Sequence, residues 1–340
     1  MLEYIKKLTS VSGVSGEEAE VRNEIYNVLK ECYTSVTVDP LGNLIVYKKG
    51  NISSPGILLS AHMDEVGIMV TGINDDGTMK FKTIGGIDSK ILPSKQFLLG
   101  KNKIPAIVGF KPIHLQDEEE FNKQPDLKKL YLDIGTKGKK ETEELVSVGD
   151  SGVFTSNYHD TGERVIAKAL DDRVGCAILL SLAMEAEDYR NDVYFAFTTM
   201  EEVGIRGSSA VVAQVENIGC VIVAEGTTCA DVPGTKGADM CSVMDSGPVF
   251  TIMDRSCISD RGLNEMLVQT AVTNDIPYQF KSLASGGNDA ASYQTAKTGY
   301  KVASVSVPCR YLHSPSGIMS KKDIMNAYKL IKAFLKRGVE

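Results

Sequence analysis

Two adjacent carboxylates, Glu201 and Glu202, follow the apolar, β-prone run Val193-Tyr-Phe-Ala-Phe-Thr-Thr-Met200 and precede Val203-Gly-Ile-Arg-Gly207. Side chains alternate between faces along a strand, so adjacent acids leaving a buried strand are expected to do different jobs at one site. One can hold a metal while the other moves a proton. His62 ends a second buried run, Gly56-Ile-Leu-Leu-Ser-Ala61, Glu225 ends a third, Cys220-Val-Ile-Val-Ala224, and His313 follows a fourth, Val302 to Val307. In open α/β sheets ligands gather at the carboxyl ends of the strands, so this shared placement points to one site.

Asp171 and Asp172 lie in Ala169-Leu-Asp-Asp-Arg-Val-Gly175, where a loop gives way to a helix. Two histidines with several carboxylates and no thiolate nearby suit zinc, with cobalt and manganese as competitors. So many carboxylates accommodate two ions more easily than one, because an aspartate can bridge metals about 3.5–4 Å apart. Asp64, two residues after His62, shares its face if the strand continues and is placed to accept the other imidazole N–H. The chain holds only four histidines; the other two, His114 and His159, lie in a different stretch and are expected to be surface or structural groups.

The elements that position these residues follow from periodicity. The opening predicts an amphipathic helix, a turn over Ser10 to Gly16, and a helix from Glu17 to about Cys32 capped by Ser15 or Gly16. Residues 35–39 and 43–47 predict a hairpin around Pro40-Leu-Gly42. From about Val66 to Arg164 the texture becomes short β-like pieces broken by Gly turns, which predicts a small β-rich domain inserted into a larger one. After Ala167, helices and strands alternate: helical 173–187, strand 193–199, helical 208–215, strand 220–224, helical 264–274, strand 302–307 and a closing helix over 321–336. That alternation predicts an α/β fold, a mostly parallel-stranded mixed sheet with helices on both faces, carrying a β-barrel-like insertion. The expected division is 1–65 with 165–340, and 66–164.

With 340 residues, 43% of them hydrophobic, the chain can bury a sizeable core, and its net charge of −7 argues against nucleic-acid or anionic-membrane partners. The amino-terminal stretch lacks the apolar core of a secretory signal. Seven scattered cysteines with no Cys-x-x-Cys pair fit a reducing cytoplasm rather than a disulfide framework.

Four motifs, Ser60-Ala-His-Met-Asp-Glu-Val-Gly67, Ala169-Leu-Asp-Asp-Arg-Val-Gly175, Thr199-Met-Glu-Glu-Val-Gly-Ile-Arg-Gly207 and Pro308-Cys-Arg-Tyr-Leu-His-Ser-Pro315, in this order, resemble the dinuclear metallo-aminopeptidases of the glutamyl and tetrahedral (deblocking) type. The resemblance runs through nearly the whole chain and extends to Asp254-Arg-Ser256 and Ser285-Gly-Gly-Asn-Asp289. It implies that His62 and Glu225 complete one metal site, Glu202 and His313 the other, with Asp171 bridging. It also implies Glu201 as general base and Asp64 as the support of His62. The implied activity is metal-dependent removal of N-terminal residues from short peptides through a metal-bridging water. The inserted domain would pair subunits that assemble into a tetrahedral dodecamer. Glu225 stands where the family commonly has Asp, and Asn288 where relatives usually have Thr, a difference expected to bear on substrate selection.

Two other classes compete. A glycoside hydrolase, a label some relatives of this family have carried, would use two carboxylates about 5–9.5 Å apart. It leaves His62, Asp171 and His313 without a role, and the chain has no Trp to stack on a sugar. A non-catalytic scaffold has no need of buried carboxylates, which are costly without metal.

Overall fold

The computed structural model describes the backbone of residues 1–340 and the side chains of all but Ser53, Ser54 and Ala238. Three strands come first: β1 (Val36–Val38), β2 (Leu44–Lys48) and β3 (Ile52–His62). Six more, β4 (Gly67–Ile73), β5 (Met79–Ile84), β6 (Gln96–Leu99), β7 (Ile104–Gly109), β8 (Tyr131–Asp133) and β9 (Ser151–Phe154), form the insertion. Eight follow: β10 (His159–Asp160), β11 (Arg164–Ala167), β12 (Asn191–Thr198), β13 (Ile218–Thr228), β14 (Val249–Phe250), β15 (Gln279–Phe280), β16 (Lys301–Arg310) and β17 (Gly317–Ser320).

The large sheet runs β1-β2-β12-β3-β13-β16-β17-β11-β10, with β14 paired to β16 and β15. Its centre, β12-β3-β13-β16, is parallel, and the flanking strands are antiparallel. Both faces of the centre are buried, which is why these strands read as continuous apolar runs. Ile57, Leu59, Ala61, Cys220, Ile222 and Ala224 pack in one core with the helices Leu170–Ala183 and Lys321–Arg337. Leu58, Val221 and Val223 pack on the other face against Val211, Val212, Ala290 and Tyr293 of the opposite helical layer. Carrying this alternation forward puts His62 and Glu225 on the same face of adjacent strands.

The insertion closes as a six-stranded antiparallel barrel, β4-β5-β8-β7-β6-β9. Its strands alternate, so Ile68, Val70, Met79, Phe81, Ala106 and Val108 fill the interior while intervening residues face out. β10 pairs with β11, and β11 pairs with β17 in the large sheet. His114 and His159 are both exposed. No helix among the described residues is long and apolar enough to cross a membrane.

One expectation fails at the amino terminus. The second helix covers Ala19–Leu29 and is not capped by Ser15 or Gly16. The Ser15 hydroxyl instead donates to Asp64 Oδ2 at 2.6 Å, a partner 49 residues away. The same segment is fastened by a buried ionic triad: Glu65 accepts from Lys168 Nζ at 2.7 Å and from Arg173 Nη2 at 3.1 Å. Lys168 also donates to the Val11 carbonyl and Arg173 to the carbonyls of Leu8 and Gly13. Each buried charge is therefore paired and hydrogen-bonded, the condition under which burial is tolerated.

Candidate metal centre

β3 ends at His62, which lies across from Thr198 of β12, while β3 and β13 pair up to Ser60 and Val223. Continuing that last register by two residues sets His62 beside Glu225, and His62 Nε2 is 3.1 Å from Glu225 Oε1. Glu225 does not end its strand as expected, since β13 runs on to Thr228 beside β16. Asp171 reaches the same point from the start of the helix below. Its backbone, like that of Asp172, is non-helical, and it directs Oδ1 to His62 Nε2 at 3.4 Å and Oδ2 to His313 Nε2 at 3.5 Å. His313 Nε2 is in turn 3.2 Å from Glu202 Oε1. The arrangement is two histidine–carboxylate pairs with one aspartate between them.

Both imidazoles are oriented through Nδ1. A backbone carbonyl only accepts, so the contacts of His62 Nδ1 with the Asp64 carbonyl (3.1 Å) and of His313 Nδ1 with the Gly86 carbonyl (2.9 Å) place a proton on Nδ1. In the neutral rings Nε2 then carries the lone pair, aimed at the carboxylates. Asp64 was expected to support His62 through its side chain. That carboxylate is near, with Oδ1 3.4 Å from Nδ1, but the strand ends at His62 and the shorter contact is to the Asp64 backbone.

Glu201 and Glu202 do not leave the strand on opposite faces. β12 stops at Thr198 and Met200 takes a left-handed backbone (φ 54°), so the chain turns and both acids line one cleft. The cleft has a volume of about 310 Å³ and is also lined by Thr251, Asp254, Lys281 and Asn288. Lys281, which sequence reasoning passed over, donates to the Ser285 carbonyl at 2.7 Å. Asn288 is buried and bound on both sides, donating to Ser304 Oγ and accepting from the Ala290 N–H. Of the arginines near the quoted motifs, Arg310 grips Asp231 with two bonds of 2.6 and 2.8 Å, and Arg261 pairs with Glu265.

The electrostatics follow from crowding charges in a dry place. Burial pushes the Glu201 carboxyl well above its ordinary value, with Glu225, Asp289 and Glu202 adding to the shift against His62. Burial disfavours the charged form of His313, but Asp171 and Glu202 outweigh it and raise the imidazole to about 11. His62 is raised in the same way, burial being overcome by Glu225, Asp171 and Asp64.

The donor set fits divalent cations. Asp171 Oδ1 and Glu225 Oε2 are buried without a hydrogen-bond partner, an expensive state that a cation relieves. Ligand atoms of His62, Asp171 and Glu202 lie within 4.8 Å of one another, as do those of His62, Asp172 and Glu225, and neither group contains a thiolate. Asp172 is already committed, accepting from the His62 N–H at 3.2 Å and the Gly175 N–H at 2.9 Å, which leaves Asp171 as the aspartate free to face a metal. A side chain at Gly226 would press on Asp171, its Cβ meeting Oδ1 at 3.0 Å.

The sequence signature of M42 glutamyl aminopeptidases matches residues 42–330. The chain is similar to the lysyl aminopeptidase of Pyrococcus furiosus, 30% identical over 341 residues, with 98% of this chain and 96% of the relative covered. Among solved structures, an aminopeptidase from the archaeon Desulfurococcus kamchatkensis superposes with a TM-score of 0.94 at 32% identity, covering 99% of this chain and 94% of the other. The TET1 peptidase of Pyrococcus horikoshii, described as able to assemble into a tetrahedron or a large octahedral shell, superposes with a TM-score of 0.86 at 31% identity, covering 98% of each chain. The signature spans most of the chain and the likenesses run nearly end to end, so the strand-end carboxylates and histidines sit in a peptidase: the chain belongs to the M42 glutamyl aminopeptidase family.

Proposed function

We propose that the protein is a dinuclear metal-dependent aminopeptidase that removes N-terminal residues from short peptides. The observation that carries this reading is Asp171, set between two histidines with one carboxylate oxygen toward each. His62 and Glu225 would hold one ion, Glu202 and His313 the other, and Asp171 would be shared by both. The ions, zinc or else cobalt or manganese, would supply a water of lowered pKa, polarise the scissile carbonyl and receive the free α-amino group.

The protein groups do the rest. Glu201 takes a proton from the attacking water and delivers it to the nitrogen of the leaving amine. Asp64 and the Gly86 carbonyl keep each imidazole in the tautomer that presents Nε2. The cleft's several carboxylates attract a substrate ammonium. Lys281 puts one cation among them.

A panel of aminoacyl chromogenic substrates, each with its N-acetylated control, run with zinc, cobalt or manganese, tests the reading. Expected are turnover of the free-amine substrates only, loss on EDTA treatment and recovery on adding metal. Aminoacyl turnover indifferent to EDTA would overturn the metal-dependent reading; EDTA-indifferent turnover of a chromogenic glycoside with none of the aminoacyl panel would support glycoside hydrolysis instead.

Subunit assembly is part of the same proposal, supported by the shells described for the TET1 relative. The barrel carries exposed apolar side chains at Ile113, Leu115 and Phe121, 58–64% accessible in the single chain, which suit contacts between subunits. Light scattering on the purified protein is expected to give dimers assembled into a dodecamer; a monomer at micromolar concentration would refute it.

A further inference from the structure

The loop that carries Glu201 and Glu202 satisfies its later N–H groups internally: those of Gly204 and Ile205 donate to the Glu201 carbonyl, that of Arg206 to Met200 and that of Gly207 to Thr199. Its first four N–H groups have no partner within the loop. Each donates to a side chain brought from the amino-terminal part of the chain. Thr199 N–H donates to Asn43 Oδ1 at 2.9 Å, Met200 N–H to Glu18 Oε1 at 3.0 Å, Glu201 N–H to Asp64 Oδ1 at 3.0 Å and Glu202 N–H to Asp64 Oδ2 at 3.1 Å.

Glu18 is 2% exposed, and its Oε1 also accepts from the Gly16 N–H at 2.7 Å, so one carboxylate oxygen ties the amino-terminal turn to the loop. Ser15, from the same turn, donates to Asp64 Oδ2. Met200 needs such a hold, because a left-handed backbone is uncommon for an unbranched side chain and an unfastened turn would relax out of it.

We propose that Glu18, and Ser15 acting through Asp64, are positioning residues that set where Glu201 and Glu202 stand relative to the metal pair. The inference rests on the dinuclear reading and makes an asymmetric claim about it. Glu202 and His313 form the metal pair that includes the loop, whereas His62 and Glu225 sit on β3 and β13, which Glu18 does not touch; Asp64, by contrast, also contacts His62 Nδ1. Removing the Glu18 contact therefore weakens one ion and spares the other, whereas Ser15, acting through Asp64, reaches both. A general loss of stability would weaken both.

Zinc and cobalt titrations of the wild type, Ser15→Ala, Glu18→Ala and Glu18→Gln, followed by calorimetry and by the visible spectrum of bound cobalt, test this. In Glu18→Ala one of two ions is expected to bind about 10- to 100-fold more weakly, the usual effect of removing a group that supports a ligand. The second ion keeps its wild-type affinity, and kcat falls with little change in KM. Ser15→Ala lowers kcat by a smaller factor and weakens both ions slightly, since the Asp64 it holds also orients His62. Glu18→Gln, which keeps a carbonyl oxygen for both N–H donors, is expected to lie within about threefold of wild type. Two ions bound with unchanged affinity in Glu18→Ala, or equal weakening of both ions in that variant, would overturn the clamp. Should Glu18→Ala not fold, Glu18→Asp, one methylene shorter and unable to span both N–H donors, carries the same test. Failure of the wild type to bind two ions would instead overturn the dinuclear reading.

Discussion

Glu201→Gln is expected to lower kcat on aminoacyl substrates by about 10²- to 10⁴-fold, the range general-base catalysis ordinarily supplies, while metal content stays at the wild-type level. The substitution is nearly isosteric and leaves the main chain alone, so the Glu201 and Glu202 N–H groups keep their bonds to Asp64 and Glu202 keeps its place beside His313. What is lost is an oxygen able to take a proton. Burial and the neighbouring carboxylates raise the Glu201 carboxyl, which favours holding a proton between abstraction and delivery; bound cations act in the opposite direction and keep it available as a base. Steady-state kinetics with metal analysis decide the matter. Turnover within about tenfold of wild type at normal metal content would show that another group moves the proton.

The site was legible wherever strand periodicity ended on a polar residue. His62 and Glu225 could be placed together because each closes an apolar run; the structure adds that Leu58, Ser60 and His62 share a face of one strand and Val221, Val223 and Glu225 the matching face of its neighbour. What stayed hidden were contacts made by groups without a residue signature. The Gly86 carbonyl that orients His313 is a backbone atom of the connection following β5, and it comes from 227 residues away in the chain. The turn at Met200 was hidden too, since a left-handed residue other than glycine gives no warning in sequence, and without it Glu201 and Glu202 read as opposite faces of a strand.

Ser15 was misread for a related reason. A serine before a Glu-rich segment is a good helix cap by local rules, because its oxygen can accept an early N–H, but the helix begins only at Ala19, and Ser15, outside it, donates to Asp64 instead. Glu18, at the head of the helix, likewise serves a distant partner, accepting from Met200 across 182 residues. Local pattern names the candidate donors and acceptors. Tertiary structure decides which of them meet.

Asp171→Ala is expected to abolish activity and, unlike Glu18→Ala, to weaken both ions. Asp171 is the carboxylate shared by the two histidine pairs, and Asp172, whose oxygens accept from the N–H groups of His62 and Gly175, groups only with His62 and Glu225 and does not replace it as a bridge. Each pair would be left with one histidine and one glutamate, too few donors to hold a divalent ion against water at ordinary concentrations. If polarisation by the metals contributes several kcal/mol to transition-state stabilisation, then at about 1.4 kcal/mol per decade the loss is on the order of 10³-fold or more. Asp171→Asn keeps one carbonyl oxygen and is expected to retain one ion more tightly than the other. The two carboxylates thus separate by metal stoichiometry: Glu201→Gln keeps both ions and loses turnover, whereas Asp171→Ala loses both. Should Asp171→Ala bind two zinc ions per chain with wild-type affinity, the bridging assignment fails, and the His62–Glu225 and Glu202–His313 pairs would have to be independent sites.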